Sequence, residues 1–253
     1  GKAVELLISN DTKLATGISK EINNFNIERR SVDRVITNEA MRMISEDQRT
    51  SNAKTTVLFN PSWKKGVIGI VASRLIETYY RPTVILTESN GFATGSARSV
   101  QGYDLYQAIE ACSDLLESFG GHMFAAGLTL KKENIKPFIE RFEQYVNSTI
   151  TEDQMQPRIF IDTELSFSEI NDEFFRIMNQ FQPFGPENMS PVFMSRNVYD
   201  TGNGRMVGSN GEHLKLELYQ DKGSMKTLPG IAFRQSDRFE YMKGGNQFDI
   251  CYS

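Results

Sequence analysis

The chain is poor in the residues that build most metal and covalent chemistry. Its 253 residues include two cysteines, two histidines and one tryptophan. Cys112 and Cys251 form no C-x-x-C pair, which argues against a structural zinc site. Two such isolated thiols read as reduced core residues of an intracellular protein. His122 and His213 are too few for a His-rich metal centre, and no DxD or HxxxH pattern occurs. Long apolar runs are also missing. The longest, Gly66–Ala72 (GVIGIVA), falls far short of the ~18–20 residues that span a bilayer. No secretory leader is read at Gly1, which opens into an amphipathic segment. Excess positive charge is absent too: 28 Lys and Arg face 32 Asp and Glu, a net charge of −4. Any grip on nucleic acid must then come from a local patch and not from the global field.

What is present is the composition of a folded globular chain, 39% hydrophobic and 24% charged, long enough for two domains. Residues 2–47 read as two helices. Leu6, Leu7, Leu14, Ile18, Ile22 and Phe25 recur at helical spacing, and Val32, Val35, Ile36, Met43 and Ile44 do so again. Residues 55–147 alternate strand and helix signals and imply an α/β domain. Strands are expected at 57–59, 83–86, 93–99 and 125–130. Helices are expected at 67–79, 104–118 and 134–146, with Asp104 as an N-cap. Residues 148–157 form a polar linker. Beyond it, Arg158–Leu165 alternates like a strand, and Ser168–Gln182 reads as a helix capped by Ser168. Phe181 and Phe184 around Pro183 read as packing of a turn. Short strands at 192–199, 205–207, 213–219, 228–233 and 248–252 suggest a small barrel.

Three motifs can carry chemistry. In Gly95-Ser96-Ala97-Arg98-Ser99, period two puts Ser96 and Arg98 on one strand face. A hydroxyl beside a guanidinium fork is a phosphate clamp, though a solvated surface arginine explains the pattern equally well. Gly120-Gly121-His122 reads as a turn whose backbone N–H groups can form an anion nest beside the imidazole. A turn beside a satisfied core histidine is the commoner origin of such a triplet. Lys64 and Lys65 precede a helix start flanked by Gly66 and Gly69; anions favour that position, and close helix–sheet packing favours those glycines. Trp63 reads as core. Tyr79-Tyr80-Arg81 reads as a helix end with the arginine helping its last carbonyls.

In combination these stretches resemble RecJ-type single-stranded-DNA exonucleases, a branch of the Asp-His-His phosphoesterases. The matching segments are WKKGVIGIVASRL (63–75), RPTVIL (81–86), GSARS (95–99), YDLYQAIEAC (103–112), FGGHMFAAGLTL (119–130), FGPENMSPVF (184–193), EHLKLEL (212–218) and PGIAF (229–233). The resemblance implies a helical connector at 1–54, carrying Asn26 and Arg29-Arg30. It implies an α/β DHH-associated domain at 55–147, a linker at 148–157 and a mostly β, OB-like barrel at 158–253. It makes Ser96 and Arg98 the hook for a 5′-terminal phosphate, and Gly120, Gly121 and His122 a second phosphate contact. Lys64, Lys65, Arg74, His213 and Lys215 are candidate DNA contacts. Lys64 stands where the family often has histidine.

The implied function is the substrate-holding part of a 5′→3′ exonuclease specific for single-stranded DNA, acting in recombination and repair. Mn²⁺ or Mg²⁺ would be bound by a catalytic domain outside this sequence. No catalytic residue or metal is expected within it, and the chain alone is expected to be inert. The expected setting is cytoplasmic and away from membranes, with single-stranded DNA as partner and a single-strand-binding protein or a helicase as candidate protein partners. The other readings are a non-catalytic nucleic-acid-binding module and a relative of the short-oligonucleotide and cyclic-dinucleotide phosphodiesterases.

Overall fold

The structure, a computed structural model, describes residues 1–220 and 226–253. The chain divides into two compact units, Gly1–Pro157 and Arg158–Ser253.

The first unit opens with α1 (Lys2–Ile8) and α2 (Thr12–Glu46). The expected pair of helices is present, but the break lies near Asp11 and not between Phe25 and Val32. Asp11 accepts hydrogen bonds from the backbone N–H groups of Lys13 and Leu14 and starts α2 there. Nothing between 12 and 46 stops a helix: the stretch holds no proline, and its one glycine, Gly17, lies in the second turn. The second half of α2 carries most of its packing. Ile36, Ala40 and Ile44 are buried there, whereas the first half buries Ile18 and leaves Leu14 and Phe25 exposed.

A short α3 (Gln48–Asn52) leads to β1 (Thr56–Phe59), α4 (Ile68–Tyr79), β2 (Thr83–Ser89) and β3 (Phe92–Arg98). Next come α5 (Leu105–Glu110), β4 (Leu116–His122), β5 (Ala125–Leu130) and α6 (Ile135–Thr149). The sheet order is β1-β2-β3-β5-β4. Only β1 and β2 are parallel, joined by the crossover helix α4. One sheet face buries Val84, Leu86, Ala97, Leu128 and Leu130 against Phe138 and Phe142 of α6. The other packs Leu58 and Ile85 against α4 and, beyond it, Ile36, Ala40 and Ile44 of α2. Arg81 is buried. It does not help the last carbonyls of its own helix; it donates instead to Thr50 O, Ser51 O and Ala53 O at the end of α3.

The helix expected over 104–118 is only half present. Asp104 caps it through Gln107 N–H, but Leu116–His122 pairs with β5. Backbone pairing with a neighbouring strand overrides the local helical signal.

The second unit contains β6 (Thr163–Glu164), α7 (Asp172–Met178), β7 (Phe193–Asp200) and β8 (Arg205–Val207). It continues with β9 (His213–Tyr219), β10 (Leu228–Ala232), α8 (Phe239–Lys243) and β11 (Phe248–Tyr252). Its core gathers Phe167, Ile170, Val198, Leu214, Leu216 and Leu218. Among the described residues the strands follow an open path, β10-β9-β7-β11, with β6 and β8 attached, so the expected barrel is an unclosed sheet. Of the strand expected at 158–165, the second half forms: Thr163–Glu164 pairs with β7, flanked by backbone hydrogen bonds from Asp162 to Val192 O and from Leu165 to Met194 O, whereas Ile159, Phe160 and Ile161 are exposed. The helix expected from Ser168 starts three residues later. Asn171 caps it by accepting from Phe174 N–H, while the Ser168 hydroxyl pairs with that of Ser166. Phe181 is exposed, not packed. Cys112 is core as expected, but Cys251 is exposed.

Candidate functional site

Strand β3 lies between β2 and β5, beneath α4. Its alternation sends Ala93, Gly95 and Ala97 into the α6 core and leaves Thr94, Ser96 and Arg98 on the α4 side. Arg98 Nη1 donates to Ser96 Oγ at 3.0 Å and to Ala97 O at 2.8 Å. The guanidinium and hydroxyl therefore share one spot, and three of the five guanidinium N–H groups, on Nε and Nη2, remain for an anion or solvent. The spot exists because α4 has glycine there. A Cβ on Gly69 would stand 2.9 Å from both Arg98 Nη2 and Ser96 Oγ. A cavity of about 340 Å³ opens here, lined by Lys65, Gly66, Gly69, Thr94, Ser96 and Arg98 among others.

The glycine–histidine motif reaches the same sheet face. Its triplet is not in a turn, as the sequence suggests, but at the end of β4; the turn is Met123–Phe124. No nest of successive N–H groups forms on an extended strand. Instead the register aligns the two motifs. Ser96 pairs with Gly127 and Gly127 with Gly120, while Arg98 pairs with Ala125 and Ala125 with His122. Two strand spacings of ~4.8 Å put the outer members of each row roughly 10 Å apart. Only Gly127 and Ala125 lie between, too small to obstruct an extended ligand.

The two glycines of the triplet are there for different reasons. Gly121 has φ 153° and a Cβ there would lie 2.3 Å from Ala125 O, so the hairpin itself demands glycine. A Cβ on Gly120 would meet nothing within 4 Å. Packing therefore does not require that residue to be bare. His122 is exposed, and its Nδ1 accepts from Phe124 N–H at 3.3 Å. The neutral ring then carries its proton on Nε2, as an outward donor. Ser99 N–H donates to Phe124 O and Leu105 N–H to Met123 O, fastening the hairpin tip beside the end of β3.

The remaining sequence candidates are placed as follows. Lys64 and Lys65 are exposed just before α4. Trp63 is buried, its Nε1–H donating to Glu39 at 2.9 Å. Arg74 pairs with Asp33 of α2 at 3.0 Å. In the second unit, His213 Nδ1 accepts from Arg234 N–H, and exposed Lys215 lies in register between Arg205 and Ile231. Gly69, Gly120 and Gly127 shape the site through what they lack, and only the tertiary pairing reveals it. Cys112 is no nucleophile: burial pushes its thiol up to about 11.

Divalent metals are the implied cofactor of the resemblance, and the residues present do not fit one. Among the described residues no three His, Cys, Asp or Glu side chains gather to hold an ion.

Two domain families match the chain. The DHHA1 domain covers residues 52–148 and the RecJ OB domain covers residues 161–253. The chain is 32% identical over 250 residues to the single-stranded-DNA-specific exonuclease RecJ of Bacillus subtilis, covering 98% of this chain and 31% of that protein. It is 29% identical to the RecJ of Escherichia coli, covering 98% of this chain and 44% of that one. The chain thus spans less than half the length of these relatives. The crystal structure of Thermus thermophilus RecJ in complex with Mg²⁺ superposes with a TM-score of 0.70 at 26% identity, over 90% of this chain and 36% of that one. A DHHA1 domain followed by a RecJ OB domain, with RecJ proteins as relatives along nearly the whole sequence, places the chain in the RecJ family.

Proposed function

We propose that the chain is the substrate-holding part of a metal-dependent 5′→3′ exonuclease specific for single-stranded DNA. The carrying observation is the register: Arg98 and His122 share one row of an open sheet face, and Ser96 and Gly120 share the next. The Arg98 fork and the Ser96 hydroxyl bind the 5′-terminal phosphate. His122, through Nε2–H, and the bare backbone at Gly120 receive a phosphate farther along. The small residues between them accept an extended strand. The second unit offers its own DNA contacts, Lys215 and His213 on one face of β9. No step of hydrolysis is assigned to this chain. Mn²⁺ or Mg²⁺ belongs to the remainder of the RecJ protein, in line with the Mg²⁺ held by the Thermus thermophilus RecJ crystal structure. The setting is cytoplasmic recombination and repair, with a single-strand-binding protein or a helicase as partner.

A general strand-binding module is the second reading, favoured by the exposed Lys215 far in sequence from the Ser–Arg clamp. The RecJ OB match speaks against a short-oligonucleotide or cyclic-dinucleotide hydrolase. Anisotropy with labelled oligonucleotides carrying a 5′ phosphate or a 5′ hydroxyl separates the first two. Preference for the phosphate that disappears in Arg98→Ala supports the clamp. Equal binding of both ends overturns it and leaves the module.

A further inference from the structure

We propose that Arg74 and Arg29, steered by the buried carboxylate of Asp33, form a second phosphate station beside the Ser96–Arg98 clamp; this rests on reading that clamp as a phosphate site. Asp33 lies on α2 with its side chain fully buried. Its Oδ2 stands 3.0 Å from Arg74 Nη2 and 3.9 Å from Arg29 Nη1. Arg29 is tied a second time, its Nη2 donating to Asn26 Oδ1 at 2.8 Å. Two guanidinium groups therefore converge on one carboxylate oxygen, and the cluster keeps one net positive charge.

Packing alone does not call for this cluster. The α2–α4 contact is already made by Ile36, Ala40 and Ile44 against Val67 and Val71. A buried carboxylate is costly there and is tolerated only while its partners remain. It is also incompletely used: Asp33 Oδ1 and, one turn on, Thr37 Oγ1 have no hydrogen-bond partner among the described residues. What the arrangement does provide is two oriented, part-exposed forks, 39% and 36% open at Arg29 and Arg74. Pre-oriented guanidinium groups lose little freedom when they bind an anion.

Their position gives them a ligand. Gly69 and Ile70 of α4 line the clamp cavity, and the Arg98 guanidinium lies against Gly69. Arg74 follows on the same open strip of α4, where Gly69, Ile70, Ser73 and Arg74 are all at least part-exposed. Four to five residues of helix advance about 6–7.5 Å, close to the step between neighbouring phosphates of an extended strand. Glu77, one turn further, ends the cationic stretch.

The test uses the 253-residue chain and labelled oligonucleotides with 5′-phosphate or 5′-hydroxyl ends, titrated at several salt concentrations. Arg74→Ala alone strands the Asp33 charge and risks the fold. The informative variant is Asp33→Asn with Arg74→Gln, which removes both charges together, with its folding checked by thermal melting. The expected result is binding weaker by about tenfold at low salt, the size of one charge-assisted contact. The salt slope should fall by about 0.7, and the preference for the 5′ phosphate should remain. Arg74→Lys should keep the slope. A folded double variant with unchanged affinity and slope overturns the station and leaves a packing ion pair. Loss of the 5′ preference in that variant also overturns it, because the pair then acts only through Arg98. Failure of the underlying reading looks different: wild type itself then shows no 5′ preference.

Discussion

The Arg98 guanidinium rests on Gly69, with no room between them for a methyl group. Gly69 sits inside a helix, where glycine is less stable than alanine by about 1 kcal/mol. Gly69→Ala is therefore expected to raise the melting temperature of its unit by about 2–4 °C. The crowded atoms, Nη2 and Oγ, end movable side chains and can swing aside. The same variant should bind a 5′-phosphorylated strand several-fold more weakly. Paired melting and anisotropy measurements check this. A gain in stability with unchanged binding means that the cavity at Gly69 holds no phosphate.

Gly120 and Gly121 should part company under the same substitution. Gly121→Ala drives a Cβ into Ala125 O and Ala126 Cα. It should destabilise the unit by several kcal/mol, since backbone at this contact cannot move aside. Gly120→Ala meets no atom and should leave melting unchanged while reducing strand affinity. Circular dichroism melts of both variants, followed by titration of the folded one, decide it.

The two thiols should differ in reactivity. Cys251 is exposed and should react with a disulfide reagent in the native state; Cys112 should react only on unfolding. Burial raises Cys112 from 9.0 to about 11. The unfolded chain therefore loses this proton first as the pH rises. Its contribution to stability is whole below about pH 9 and declines between there and 11, by up to roughly 2–3 kcal/mol. The urea midpoint of wild type should fall more steeply across that window than that of Cys112→Ala.

Glu39 ties α2 to the loop before α4 by accepting from both Trp63 Nε1–H and Asn60 Nδ2. Glu39→Ala leaves the buried indole N–H unpaired, at a cost of about 1–3 kcal/mol. Trp63 is the only tryptophan, so its emission reports the site directly. A red shift together with a lower urea midpoint is expected, and a wild-type spectrum at wild-type stability contradicts the proposed tie.

Much of this architecture is legible in the sequence because it is written locally. The Val-Ile-Leu run of β2, the Asp104 cap and the apolar face of α6 all fold as their patterns indicate. Period two alone places Ser96 and Arg98 on one face. What escapes the sequence depends on distant partners. Leu116–Ser118 reads as helix until β5 pairs with it. The glycine pair reads as a turn because the contact that demands Gly121, Ala125 O, lies across the hairpin. Ile159–Ile161 alternates like strand but finds no partner strand among the described residues. The function of Gly69 is invisible until β3 is known to run beneath α4. The sheet of the second unit reads as a barrel because strand spacing carries no information about closure.

Strand β4 ends its sheet, with no further strand beyond it among the described residues. Bare sheet margins invite other chains to add to them and so promote aggregation. This margin is poorly suited to that. A bulge separates Leu116 from Ser118, Glu117 brings charge, and two adjacent glycines offer little to a docking strand. The triplet that leaves the surface bare for a ligand thus also discourages fibre growth. Bulky β-branched replacements at Gly120 threaten solubility as well as binding.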